Sequence, residues 1–170
     1  NNKDITNIKS NKLKEIYKDI QMVFQDAIGS FNPRFTIEES IMEYVCNLCS
    51  TTEADKKHKV DNLLRMVGLS KEYKYRYPHE LSGGQCQRAA IARALSAQPK
   101  ILVCDEATSA LDVSVQAQIV ELLKEMQEKM NISYLFITHD LALVSSFCDR
   151  VAVMKNGKIV EVGDTKEVIN

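Results

Sequence analysis

What the sequence lacks narrows its reading before any motif is considered. Neither charge dominates: Lys plus Arg is 22 and Asp plus Glu is 23, a net charge of −1 over 170 residues. A domain that grips nucleic acid through phosphates ordinarily carries a basic excess, so no nucleic-acid partner is expected. No apolar run approaches the roughly 18–20 residues that span a bilayer. Asn1 to Lys18 is polar and mixed in charge, neither a signal peptide nor a transit peptide. Cysteine is sparse and odd in number, five at 46, 49, 86, 104 and 148, without the framework of a secreted disulfide scaffold. Cys46 and Cys49 form a CxxC, but zinc needs four ligands, and neither a second CxxC nor an HxxxH follows. The pair reads as two small residues one turn apart on a helix, and reduced thiols fit a cytosolic protein. The remainder, 45% hydrophobic and 26% charged, is ordinary for one soluble domain or a piece of a larger one, and argues against disorder of the whole chain.

Apolar runs alternate with helical patterns along the chain. Ile20 to Gln25 is a short β-branched run that predicts a strand. Asp26 to Arg34, with Gly29, Ser30, Asn32 and Pro33, predicts a loop. Thr36-Ile37-Glu38-Glu39 is a capping box that opens a helix to about Cys49. A second helix is expected over Glu53 to Val67, with Val60, Leu63, Leu64 and Val67 on one face and Gly68 as its stop. A charged connection through Lys71 to Pro78 leads to Leu81-Ser82-Gly83-Gly84-Gln85 and an alanine-rich helix to about Ala97. Ile101 to Cys104 reads as a strand buried on both faces, ending in Asp105-Glu106. Asp112 or Ser114 caps a helix whose apolar stripe is Val115, Ile119, Leu122, Met126 and Met130. Ile132 to Ile137 is the next strand, ending in Thr138-His139-Asp140. A short helix over Leu141 to Phe147 precedes a hairpin turning at Asn156-Gly157, and Thr165 starts a last helix. This order predicts an α/β fold with a parallel sheet.

In such sheets chemistry gathers beyond the carboxyl ends of the strands. Gln25, Asp105, Glu106 and His139 all fall there. Of two adjacent acids, one can hold Mg²⁺, a hard cation that keeps water and phosphate oxygens in its shell, and the other can orient or deprotonate a water. A solvated acid pair is the bland alternative. Gly83 and Gly84 let backbone amides approach an anion at a helix N-terminus, where the free amides and the dipole favour phosphate. The competing reading is a flexible loop with Ser82 as N-cap. His139 could meet a phosphoryl oxygen or the attacking water. A lone histidine is more often structural, and what lifts this one is its neighbouring Asp105 and Glu106.

Taken together, these strings resemble the nucleotide-binding subunits of ATP-binding cassette transporters, over essentially the whole chain and in that family's order. Gln25 resembles the Q-loop glutamine, Leu81 to Gln85 the signature, and Ile101 to Glu106 the Walker B strand with its catalytic glutamate. Ser109-Ala110-Leu111-Asp112 is similar to the D-loop, and His139 to the switch histidine. Phe31-Asn32-Pro33-Arg34, Tyr77-Pro78-His79-Glu80 and Asp112 to Gln118 resemble the oligopeptide, dipeptide and nickel importers of that family. The resemblance implies a partial P-loop NTPase-type sheet with an inserted helical subdomain: a core piece over 1–35, the helical signature subdomain over 36–98, and the rest of the core over 99–170.

The same resemblance implies ATP and Mg²⁺ as cofactors, and two nucleotide-binding domains, identical or different, closing head to tail on two ATP molecules. Glu106 would activate water, His139 would contact the γ-phosphate, and Asp105 would help bind Mg²⁺. Gln25 would sense Mg²⁺ and phosphate and couple closure to membrane permease subunits, which receive solute from an extracytoplasmic binding protein. Ser82, Gly83, Gly84 and Gln85 would contact the partner domain's ATP, and Asp112 the partner itself. The implied location is the cytoplasmic face of the cell membrane. A DNA-repair ATPase of the same superfamily would carry long coiled-coil or zinc insertions, which this sequence does not show, and a regulatory module without chemistry would have no need of Glu106 and His139.

None of the six glycines opens a G-x-x-x-x-G-K-[ST] phosphate loop. Asn1 to Lys18 resembles the stretch that follows that loop's helix. The chain is therefore expected to be a fragment lacking an N-terminal part, inactive alone and with apolar surface exposed. Two local departures from the pattern are Cys86, expected to add an oxidisable thiol near the interface, and Ala27, in a place where these importers often have proline.

Overall fold

A computed structural model describes residues 10–48, 53–109 and 111–169. Helix α1 (Ser10–Asp19) leads directly into strand β1 (Ile20–Val23); after a turn-rich loop come helices α2 (Ile37–Leu48) and α3 (Glu53–Met66). Two short 3₁₀ turns precede α4 (Gly83–Leu95) and strand β2 (Ile101–Asp105). Then follow α5 (Val113–Met130), β3 (Ser133–Ile137), α6 (Leu141–Phe147), the strands β4 (Arg150–Lys155) and β5 (Lys158–Asp164), and α7 (Thr165–Val168).

Strands β1, β2 and β3 form one parallel sheet in that order, with Val23 beside Cys104 and Asp105 beside Ile137. All three therefore end on the same side, as the alternation of helix and strand requires. β4 and β5 make a separate antiparallel hairpin. Its turn places Asn156 and Gly157 at positive φ, the geometry of a two-residue hairpin connection.

One face of the parallel sheet is packed. Val23, Leu102 and Cys104 share a core with Ile91 and Leu95 of α4 and with Ile119, Leu123 and Met126 of α5. Tyr134 and Phe136 of β3 meet Phe147 of α6 edge-on, with ring centres 5.4 and 4.7 Å away. The other face is bare: Ile101 is 38% exposed, Leu135 55% and Ile137 48%.

The helical part forms for the reasons visible in its sequence. Glu39 accepts the Thr36 amide at 2.7 Å, while Thr36 Oγ1 accepts the Glu39 amide at 3.2 Å, closing the capping box. Val60, Leu63, Leu64 and Val67 are buried along one face of α3. Gly68 ends α3 at φ +72, and Arg88 of α4 donates to the Val67 carbonyl at 2.9 Å, tying the two helices. Asn131 closes α5 in the left-handed conformation.

Two expectations change, and one element was not foreseen. The first strand stops at Val23, not Gln25, because Phe24 swings outward and the chain turns there. The unforeseen element is the helix Ser10–Asp19 within the polar N-terminal stretch. Cys86 is fully buried, and desolvation pushes its thiol up to about 11, so it is shielded where an oxidisable thiol was expected. The Cys46–Cys49 pair lies outside the described side chains. No helix among the described residues is long and apolar enough to cross a membrane.

Candidate functional site

The carboxyl ends of β1, β2 and β3 carry Gln25, Asp105 with Glu106, and His139 respectively. Because the strands are neighbours and parallel, residues from far apart in sequence meet on one rim. Gln25 Nε2 donates to Ser109 Oγ at 3.4 Å, a long bond. Ser109 Oγ donates to the Glu106 carbonyl at 3.0 Å. Glu106 Oε1 lies 3.2 Å from His139 Nδ1. These contacts link Gln25, Ser109, Glu106 and His139 across all three strand ends, Glu106 meeting Ser109 through its backbone carbonyl and His139 through its carboxylate.

Glu106 holds an uncommon backbone, φ 44, fixed by its amide donating to the Ile137 carbonyl at 2.9 Å. A left-handed conformation disfavours a residue with a Cβ by roughly 1–2 kcal/mol, and such residues gather where the surroundings hold them in place. Here the kink lets the Glu106 side chain reach His139 instead of continuing the strand. The His139 side chain is 76% exposed and that of Glu106 31%, so both can be reached from solvent. With Nδ1 on Glu106, Nε2 of the ring is left to face a ligand. Asp140, the next residue, is the N-cap of α6 and accepts the Ala142 amide at 2.9 Å and the Leu143 amide at 3.1 Å. Gln116 of α5 donates to its other oxygen at 2.7 Å. The loop carrying His139 is therefore pinned to α5.

The remaining predicted residues form a second surface. Ser82, Gly83, Gly84, Gln85 and Asp112 line a hollow of about 580 Å³ that also takes in Ser109 and Arg88. Ser82 caps α4: its hydroxyl accepts the Gln85 amide at 3.4 Å and Gln85 Oε1 accepts the Ser82 amide at 3.0 Å. Gln85 Nε2 donates to Tyr73 Oη at 2.9 Å, which fixes the side chain. Asp112 stands at the N-cap of α5, yet its carboxylate makes no capping bond. The hollow and the strand-end rim are thus separate surfaces joined through Ser109. That serine enters the sequence reading only inside the D-loop string; its role depends on Gln25, 84 residues away.

The donor set suits a hard cation shared with phosphate. Asp105, Glu106 and Gln25 offer oxygen atoms at one rim. Among the described residues no group of three or more His, Cys, Asp or Glu closes around a point. Mg²⁺ is ordinarily held by one or two carboxylates with water and phosphate completing the shell, and Asp105 and Glu106 are carboxylates of that kind.

The rim and the helix-capping SGGQ sit on an α/β fold with a parallel sheet, the P-loop NTPase type. The model of the ABC transporter family matches residues 1–109, and the chain belongs to that family. It is 47% identical over 169 residues to the dipeptide transport ATP-binding protein DppF of Lactococcus lactis, covering 99% of this chain and 54% of that one. It is 52% identical over 161 residues to the oligopeptide transport ATP-binding protein OppF of Haemophilus influenzae, covering 92% and 48%. The chain spans about half the length of these curated relatives. Among solved structures it superposes on cbiO1 of Clostridium perfringens, part of the ABC transporter complex cbiONQ. The TM-score is 0.83 at 32% identity, over 96% of this chain and 64% of that one. A dimeric ATP-binding cassette, MJ0796 with ADP and Pi, superposes with TM-score 0.82 at 28% identity, over 96% and 71%.

Proposed function

We propose that these residues serve ATP hydrolysis that powers import of peptides or a related solute through a membrane transporter. The observation that carries this reading is the hydrogen-bonded rim Gln25–Ser109–Glu106–His139 at adjoining parallel strand ends. Peptide import is supported by relatives named for dipeptide and oligopeptide transport.

In the proposed chemistry the Glu106 carboxylate takes a proton from the attacking water, a contribution of roughly 10²–10⁴ in rate. His139 accepts orientation from Glu106 through Nδ1 and offers Nε2 to the γ-phosphate. Asp105 and Gln25 would hold Mg²⁺ at the rim, where the ion would neutralise phosphate charge. Ser82 to Gln85 and Asp112 face the nucleotide and surface of a second nucleotide-binding domain, which is why their hollow lies apart from the rim. Phosphoryl transfer of this kind needs positioning and charge stabilisation more than covalent help. The helical piece over 36–98 is the part we assign to docking on permease subunits, at the cytoplasmic face of the membrane.

The test is steady-state ATP turnover by the full-length protein together with its permease subunits. Glu106→Gln is expected to lower kcat at least a hundredfold while ATP binding persists. The 170 residues alone, with no G-x-x-x-x-G-K-[ST] sequence, are expected to give almost no turnover. Unchanged kcat in Glu106→Gln, or turnover by the 170 residues that this substitution abolishes, would overturn the respective claim.

A further inference from the structure

Among the described residues, Arg93 is a buried cation with no part in the strand-end chemistry. It sits in the last turn of α4, is 7% exposed, and has no carboxylate within ion-pair distance among the described residues. Burying a guanidinium without a counter-ion is costly unless its donors are met and its faces covered. Here they are met by a single residue of the loop after Gln25. Nη1 donates to the Ser30 carbonyl at 2.7 Å and Nη2 to Ser30 Oγ at 2.9 Å, a two-pronged grip on one residue. The guanidinium carbon lies 4.2 Å from the centre of the Phe31 ring and 5.3 Å from that of Tyr44 on α2. Cation–π contact covers its faces, with the Glu43 charge attracting it from beyond ion-pair distance, and the planar fork suits both roles as a lysine could not.

The gripped turn is itself closed. The Gly29 amide donates to Asp26 Oδ1 at 2.9 Å, the Ser30 amide to the Asp26 carbonyl at 3.1 Å, and Ser30 Oγ to the Ala27 carbonyl at 2.7 Å. Residues 26–31 therefore form one small knot fastened to α4. The other end of α4 is the Ser82–Gln85 cap, about 16 Å away along a continuous helix. Gln25, just before the knot, meets the end of β2 through the 3.4 Å contact to Ser109.

We propose that Arg93 is a positioning residue for the reaction: its grip on Ser30 fastens the turn after Gln25 to α4, and so fixes where Gln25 stands on the strand-end rim. This rests on the ATP-hydrolysis reading above. Arg93 acts through that turn and lies among Ser30, Phe31 and Tyr44, not among the rim residues.

The experiment uses the full-length protein with its permease subunits and compares Arg93→Lys, Arg93→Met, Ser30→Ala and Arg93→Met/Ser30→Ala, with Glu106→Gln as the control for hydrolysis. Two quantities are read: kcat and KM for ATP, and amide hydrogen exchange over residues 27–33. Arg93→Met and Arg93→Lys are expected to raise exchange over 27–33 at least tenfold while β2 and α5 keep their protection. They are expected to lower kcat tenfold or more with KM changed less than about twofold. Ser30→Ala is expected to lower kcat less, and to add nothing in the Arg93→Met background. Native kcat in Arg93→Met overturns the proposal, as does unaltered exchange over 27–33, loss of protection throughout the chain, or independent effects of the two residues. If Glu106→Gln leaves turnover unchanged, the hydrolysis reading fails; the exchange data then decide alone whether the knot depends on Arg93.

Discussion

Asp140 does three things with one carboxylate. It caps α6, receives Gln116 from α5, and stands beside His139. The Leu143 amide, then the Gln116 side chain and the Ala142 amide, hold its carboxyl below the ordinary aspartate value. A depressed folded value means that the stabilisation is fully present above the unfolded value, about pH 4, and is lost as pH falls through the lowered one. Asp140→Asn keeps the shape and removes the charge. The wild type is expected to melt a few degrees higher at pH 7, with the gap closing below about pH 4. Thermal melts across pH check this, and a gap that persists unchanged at acid pH would count against it. At this same scale the sequence was readable where one residue type in one setting suffices, as with Glu106 after an apolar strand or Ser82 before SGGQ's helix. It was silent on Arg93, because an arginine inside an alanine-rich helix looks like any other until Ser30, 63 residues away, is placed against it.

Elements were legible in proportion to how local their causes are. The capping box at Thr36, the stop at Gly68 and the hairpin at Asn156-Gly157 are written in adjacent residues. Helix α1 was not, since Ser10–Asp19 has no acidic residue in its first turn and a polar composition. It is continuous with β1 and touches it, with Gln21 donating back to the Tyr17 carbonyl. The two signature glycines likewise look interchangeable in sequence and are not in space. A Cβ on Gly84 would stand 2.7 Å from Val115 Cγ1, whereas one on Gly83 meets nothing nearer than Leu111 Cδ2 at 3.6 Å. Val115 is β-branched and stiff on its helix, so it yields poorly. Gly84→Ala is expected to cost about 1–3 kcal/mol by separating α4 from α5, and Gly83→Ala to leave stability near wild type. Urea unfolding midpoints distinguish them; equal shifts would show that the close approach to Val115 does not matter.

For the whole molecule, the open side of the sheet is the dominant feature. Parallel sheets are ordinarily covered on both faces, yet Ile101, Leu135 and Ile137 face outward here. The sequence hinted at this through the unbroken apolar run Ile101 to Cys104, which reads as a strand buried on both sides, whereas Ile101 is exposed. The 170 residues alone are therefore expected to self-associate, and Leu135→Lys to shift them toward monomer in light scattering coupled to size exclusion. A wild-type monomer at the same concentration would contradict this.

The pairing of β1 with β2 has a temporal consequence. Asp19 and Lys100, bonded at 2.9 Å where those strands begin, are 81 residues apart in the chain. During synthesis, at about 5–20 residues per second, Ile20 to Val23 must wait several seconds for their neighbour to emerge. The helices between them can condense in that interval from contacts of their own. Assembly of the strand-end rim must then wait for the closure of that long loop.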